Sequence, residues 1–373
     1  MNFIPPIYYQ SVYIYVLLAL ILILYGKLAQ RPNSALLQGS KQSLRPALIL
    51  ATIFAWFVGT RPLHWAFGDM YNYRRIFLQT IAKPFSAIDY SEEWLFDWLM
   101  HGCGALSLDY FDFCLIVDIL YFGITLIACY RLSKRHTYIL FIAVLSAYSF
   151  FSYGTNGVRN GLACAIILVA LSFISGSFKD RIMAVVLCFV AYSIHHSTAL
   201  PSLAMFVSYY VIKGPKWCIA FWILSILISI VAGSTMEAVF AGMGFDDRLS
   251  HYIQGNQSEA TMQEFSQTGF RWDFLLYSSM PIILGWYIVM RRKITDRPYI
   301  VLLNTYILCN SFWVMINRAA FSNRFAYLSW FMYAIVLIYP LIKIPVYNRQ
   351  GKALANILLA QIAFTLIMNL LGK

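Results

Sequence analysis

Apolar runs close to twenty residues long recur along this 373-residue chain, near 7–26, 46–60, 113–130, 137–152, 157–175, 182–196, 198–212, 217–234, 273–290, 299–316, 323–342 and 353–371. About twenty such residues carry an α-helix across the hydrocarbon core of a bilayer. Inside lipid each backbone polar group must be satisfied within its own segment, so runs of this length fold as helices. The pattern predicts an all-α polytopic membrane protein of about twelve transmembrane helices, one integral domain over 1–373. Composition agrees, since only 12% of residues are charged where a soluble domain carries roughly twice that. Soluble enzymes, nucleic-acid binders and secreted disulfide scaffolds are thereby excluded as first readings.

Two longer polar segments interrupt the runs, 61–112 and 235–272. Orientation follows from lysine and arginine, which are retained on the cytoplasmic side near span ends. Alternate loops collect 18 basic residues, among them Lys27, Arg31, Arg131, Lys179, Lys213, Arg291 and Lys343, against Asp180 and Asp296 alone. The opposite side holds ten basic and thirteen acidic residues, and Asp118 is left inside a span. Both termini and both polar segments are therefore expected outside, and the net charge of +12 is a topology signal that needs no nucleic acid. The first run has no basic residue before it and no small-residue cleavage pattern after it, so it reads as a span rather than a signal peptide. Five of the seven cysteines lie in or beside apolar runs; Cys103 and Cys114 fall near a polar segment, where a disulfide between them is one option.

Segment 91–108 reads as an amphipathic helix, with Trp94, Leu95, Trp98 and Leu99 on one side and Glu93 and Asp97 four apart on another. Its charges and glycines stop it crossing alone, so it is placed in the outer interface or partly re-entrant.

Arginines are not expected on the outer side, yet Arg61, Arg74, Arg75, Arg159, Arg248, Arg271, Arg318 and Arg324 sit there. Each either pairs with a carboxylate or, where it opens a span, grips a phosphorylated ligand. Tyr153–Gly161 is the sharpest case: Thr155 or Asn156 can cap the following helix, Gly157 and Gly161 allow close approach, and Arg159 projects from the first turn. A helix N-terminus plus a guanidinium makes a diphosphate site. In Ile194–Pro201, His195 and His196 leave no room for a loop, so at least one imidazole faces the interior, as base, phosphate donor or structural hydrogen-bond partner. Arg318, Arg324 and Tyr327 form a third group, and Asp69, Tyr73 and Glu93 suit sugar hydroxyls and rings as well as a plain solvated loop. There is no Asp-x-Asp, phosphate loop or zinc-protease motif, and the spans are nearly free of charge at mid-depth, which favours a surface enzyme over an ion-coupled carrier.

Five short patterns occur in order: Gly68-Asp69 with Tyr73, Glu93 ahead of an apolar helix, Gly157-x-Arg159-x-Gly161-Leu162-Ala163, His196-x-Thr198-Ala199-Leu200, and Arg324-x-x-Tyr327. Together, over roughly residues 55–345, they resemble the EpsG family, bacterial membrane proteins grouped with the Wzy-type O-antigen and capsule polymerases. Asn160 stands where the family usually has Gln, and Glu93 lacks the family's following Pro-Gly. The resemblance implies a GT-C-like, metal-independent glycosyltransferase of the bacterial cytoplasmic membrane, without cofactor. Its substrates would be an undecaprenyl-diphosphate-linked oligosaccharide and a lipid-linked repeat unit, with a chain-length regulator as partner. In that frame Arg159, Arg318 and Arg324 bind the diphosphate. His196 ranks first as base, ahead of Asp69 and Glu93, and Tyr73, Asn160, His195 and Tyr327 contact substrate. Asp246, Asp247, Arg248, Glu259, Glu264 and Arg271 would let loop 235–272 cover the glycan. A flippase of the same lipid-linked sugars and a membrane O-acyltransferase are the competing readings.

Overall fold

A computed structural model describes residues 4–242, 269–318 and 322–371; among them every regular element is helical. Seven of the described helices are long and apolar enough to cross a membrane: Pro6–Ala29, Tyr110–Leu132, Lys216–Gly233, Trp272–Arg291, Arg297–Met315, Arg324–Lys343 and Gln350–Leu371. Leu44–Gly59 and Val158–Phe173 are shorter apolar helices. The protein is an all-α polytopic membrane protein. Run 137–152 is not one rod, because α7 (Thr137–Leu145) ends before α8 (Phe150–Thr155) begins. Run 198–212 yields only α11 (Ala199–Tyr210) after a 3₁₀ turn.

The chain packs as two compact units, residues 1–195 with 337–373, and residues 196–336. In the first, α1 (Tyr9–Ala29) lies against the last helix, α17 (Gln350–Leu371), while α3 (Leu44–Gly59), α6 (Tyr110–Leu132), α9 (Val158–Phe173) and α10 (Phe178–Ile194) pack in sequence order. The helices alternate in direction, which gives the unit two ends. At the near end, where α1 starts and α17 finishes, Asn369 donates to Ser11 Oγ at 3.2 Å. At the far end Asn33 Nδ2 donates to the Tyr347 carbonyl at 2.7 Å. Lys27, Arg31, Arg131, Lys179, Lys343 and Arg349 all fall at helix boundaries of the far end. Local signals start the helices: Asp109 and Asp112 form a capping box for α6, and Ser177 with Asp180 does the same for α10.

Buried polar groups tie this unit together. Arg61, just past α3, sends Nη1 to Asp118 Oδ2 of α6 at 2.5 Å and to the Val58 carbonyl at 2.8 Å, with both side chains 1% exposed. The pairing settles two expectations at once: Arg61 is a structural cation, and Asp118 is its counterion. Gly154 of α8 brings its backbone beside this pair, where an added Cβ would stand 3.1 Å from Asp118 Oδ1. All seven cysteines are free and buried, so the Cys103–Cys114 bridge is not formed.

Segment 91–108 contains α5 (Trp94–Ala105), twelve residues and too short to span. Its packed face is Phe96, Met100 and Cys103 rather than the tryptophan side; Trp98 is exposed, as suits a helix lying against lipid.

The second unit centres on α14 (Arg297–Met315), against which α11, α12 (Lys216–Gly242, kinked at Ala232), α13 (Trp272–Trp286) and α15 (Asn323–Trp330) pack. Its interior is polar at chosen points: buried Asn310 accepts from Trp222 Nε1 at 2.8 Å and donates to Ser329 Oγ at 3.0 Å. Helix α16 (Tyr333–Lys343) follows in the chain.

Candidate functional site

The site is assembled at the near end of the first unit, beginning with a glycine. Gly68 has φ +64°, a conformation that side chains resist, and an added Cβ would collide with the Asn156 amide. The turn it permits lets the Asp69 N–H donate to Asn156 Oδ1 at 2.9 Å, which docks the start of α4 (Met70–Ile81) onto the segment leading into α9. Asn156 is thus spent on Asp69, and Thr155 Oγ1 donates to the Phe151 carbonyl at 3.1 Å. Neither caps α9 as expected; its N-cap residue is Gly157, without a side-chain cap. Gly68→Ala is expected to cost about 1–3 kcal/mol, from backbone strain and the lost dock. Thermal melting in detergent checks this, and a wild-type midpoint would remove the dock from the account.

Arg159 leaves the first turn of α9 and is met by Glu93, the residue before α5: Nη1 and Oε2 are 2.5 Å apart. The second carboxylate oxygen, Oε1, takes the Nδ1 of His195, which ends α10 in extended backbone. The three side chains are 24%, 16% and 28% exposed, so the cluster is sheltered yet reachable. The Arg159 guanidinium also lies 5.8 Å from the ring centres of Tyr73, on α4, and Phe96, on α5, an arrangement that holds a cation over aromatic faces. Asp97 stands one turn beyond Glu93; burial pushes its carboxyl above the usual range, and the attraction of Arg159 opposes that only in part.

The chemistry follows from donor counting. A carboxylate accepts only, so it fixes the hydrogen on His195 Nδ1 and gives Nε2 the character of a base. A guanidinium has five N–H donors; Arg159 serves Glu93 through one nitrogen and also hydrogen-bonds the Tyr73 side chain, and the rest of the fork can address an anion. The cluster can therefore take a proton and steady a negative charge within a few ångströms.

The other expected residues are placed separately. Half-buried Asn160 accepts from Cys164 Sγ at 3.1 Å. Asp69 contributes its backbone to the dock and its side chain is half-buried. His196, Arg318, Arg324 and Tyr327 belong to the second unit. There His196 opens a 3₁₀ turn, Arg324 and Tyr327 sit one turn apart on α15, and Arg318 is exposed with its Cδ 2.8 Å from where a Gly233 Cβ would stand. Arg271 pairs with Asp273 through two nitrogens, at 2.9 and 2.6 Å, and stacks on Phe274. Asp246, Asp247, Arg248, Glu259 and Glu264 lie outside the described residues. What sequence reasoning missed is the sharing of Glu93 between Arg159 and His195; the available signal was the Glu92-Glu93 pair ahead of a short helix.

Fold and cluster together define a polytopic helical membrane protein with a charged, part-sheltered constellation where its helices end. The chain belongs to the EpsG family, whose model matches residues 45–372. No curated protein and no solved structure matches it. Family membership and the apolar helices support a membrane polysaccharide polymerase.

Proposed function

We propose that the protein is a glycosyltransferase that moves a growing glycan from undecaprenyl diphosphate to a sugar hydroxyl of a lipid-linked repeat unit. The work is done at the outer face of the bacterial cytoplasmic membrane, without a metal. The observation that carries the reading is the Arg159–Glu93–His195 cluster. Polymer transfer needs a base for the attacking hydroxyl and positive charge for the departing diphosphate. His195 is the base, Glu93 holds its tautomer and orientation, and Arg159 steadies the leaving group, with Tyr73 and Asn160 beside it. His195 has Glu93 as its orienting carboxylate. Arg318 and Arg324 as diphosphate ligands, Tyr327 as a substrate contact and His196 as a second candidate base are carried by the sequence pattern. Basic residues at the far end favour the cytoplasm there, which supports an outer location for the cluster and both termini and a chain-length regulator as partner on that side.

The two histidines provide the test. With purified lipid-linked repeat units, His195→Gln is expected to slow elongation by about 10²–10⁴-fold, the usual contribution of a general base. His196→Gln is expected to change it less than about tenfold. Product lengths on a gel report both. Equal losses, or none, would remove His195 from the base role, and repeat units trapped on the cytoplasmic side in cells would point to a flippase instead.

A further inference from the structure

At the far end of the first unit a cavity of about 510 Å³ opens where α1 runs out and α17 begins, remote from every residue of the cluster above. Arg31, Arg349 and Lys352 line it, together with Tyr25, Asn33 and Asn348. Among the described residues none of the three forms an ion pair, and residues 1–68 and 297–373, which include all the lining, contain no Asp or Glu. Three cations gathered without a counterion repel one another, and an anion from outside relieves that cost.

The cavity has a built frame. Asn33 Nδ2 donates to the carbonyls of Tyr347 and Asn348, at 2.7 and 3.1 Å, and its Oδ1 accepts the Gln350 N–H at 3.0 Å. Gln350 is fully buried, accepts from the Val346 N–H at 2.7 Å and donates to the Ile344 carbonyl at 2.8 Å. Gly351 lies so close to α1 that a Cβ would strike the Leu28 carbonyl. The position of Arg31, Arg349 and Lys352 is thus set by two helices at once. The α17 N-terminus adds its own partial positive charge.

Its level selects the ligand. The apolar stretch of α1 ends at Ala29, and Leu22 and Ile23 below it are exposed along the helix. Tyr25 sits between, where tyrosines favour the boundary of hydrocarbon and headgroup. A basic recess between span ends at this depth meets lipid phosphate. We infer that the cavity binds a phosphate group, that of an anionic phospholipid with its acyl chains along the exposed side of α1.

The test uses the full-length protein in detergent, melted with phosphatidylglycerol, phosphatidylcholine or inorganic phosphate. One variant carries Arg31→Gln, Arg349→Gln and Lys352→Gln. A control loses the same charge at exposed positions of the same end, Lys27→Gln, Lys41→Gln and Arg45→Gln. Phosphatidylglycerol is expected to raise the midpoint of wild type and control by about 3–6 °C, phosphatidylcholine to do little, and the cavity variant to lose most of the gain. If inorganic phosphate reproduces the shift and the cavity variant abolishes it, the site stands with free phosphate as its source. Equal shifts in the cavity variant and wild type, or no shift in wild type with either phosphate source, overturn the inference.

Discussion

Glu93→Gln is expected to leave cells with single repeat units and no long-chain polysaccharide. The amide keeps the shape of the carboxylate and removes its charge, so Arg159 loses its partner at 2.5 Å and His195 loses the acceptor that sets its tautomer. An amide can present N–H to Nδ1, which puts the imidazole hydrogen on the wrong nitrogen. Removing the carboxylate that orients a catalytic histidine costs on the order of 10⁴-fold where it has been measured in serine proteases. Both halves of the transfer are affected here, so the loss should be at least as large as that of His195→Gln. Glu93→Asp retains charge on a shorter arm and should recover part of the activity. Because the cluster is partly exposed, the melting midpoint of Glu93→Gln should stay near wild type, which separates lost chemistry from lost folding. Normal chain lengths in this variant would remove the cluster from the mechanism.

The largest stability effect is expected at Asp118→Ala. Arg61 would then be left charged, fully buried and without its counterion, a situation that costs about 3–5 kcal/mol. The variant should accumulate poorly in membranes and melt early in detergent. Replacing both partners with apolar residues, Arg61→Met with Asp118→Leu, removes the stranded charge and should restore much of the loss. A single variant as stable as wild type would show that the pair contributes little, and a double variant no better than the single would show that the loss does not come from a stranded charge.

How far the chain could be read in advance depended on what kind of information each feature carries. Hydrophobic runs are local, and they located α1, α6, α14 and α17 to within a few residues. The break at 331–332 was not legible, because Phe331 and Met332 stay apolar through the turn, and the break at 146–149 is marked only by Ser146 and Ser149 within an apolar run. The residues of the cluster were also named from sequence, since arginine, glutamate and histidine are conspicuous at span ends. Their partnerships were not. Glu93 meets Arg159 and His195 across 66 and 102 residues, and Arg61 meets Asp118 across 57. Such pairings depend on how helices pack, which periodicity does not encode. Where His195 lies follows from the helix end itself: α10 stops at Ile194, and the extended backbone of the next residue sets the position of its imidazole. Asn156 misled for a related reason, because a good capping residue next to a tight turn can serve the turn instead.

The pairing of α1 with α17 also bears on biogenesis. Ser11 and Asn369 are 358 residues apart in the chain, and Thr365 and Gln361 complete polar contacts with Ser146 that would otherwise face lipid. At about 5–20 residues per second of synthesis, the opening helix waits on the order of half a minute for its mate. Until the closing helix leaves the translocon, the half-made bundle displays hydroxyls to hydrocarbon, which is the kind of surface that insertion chaperones and membrane proteases inspect.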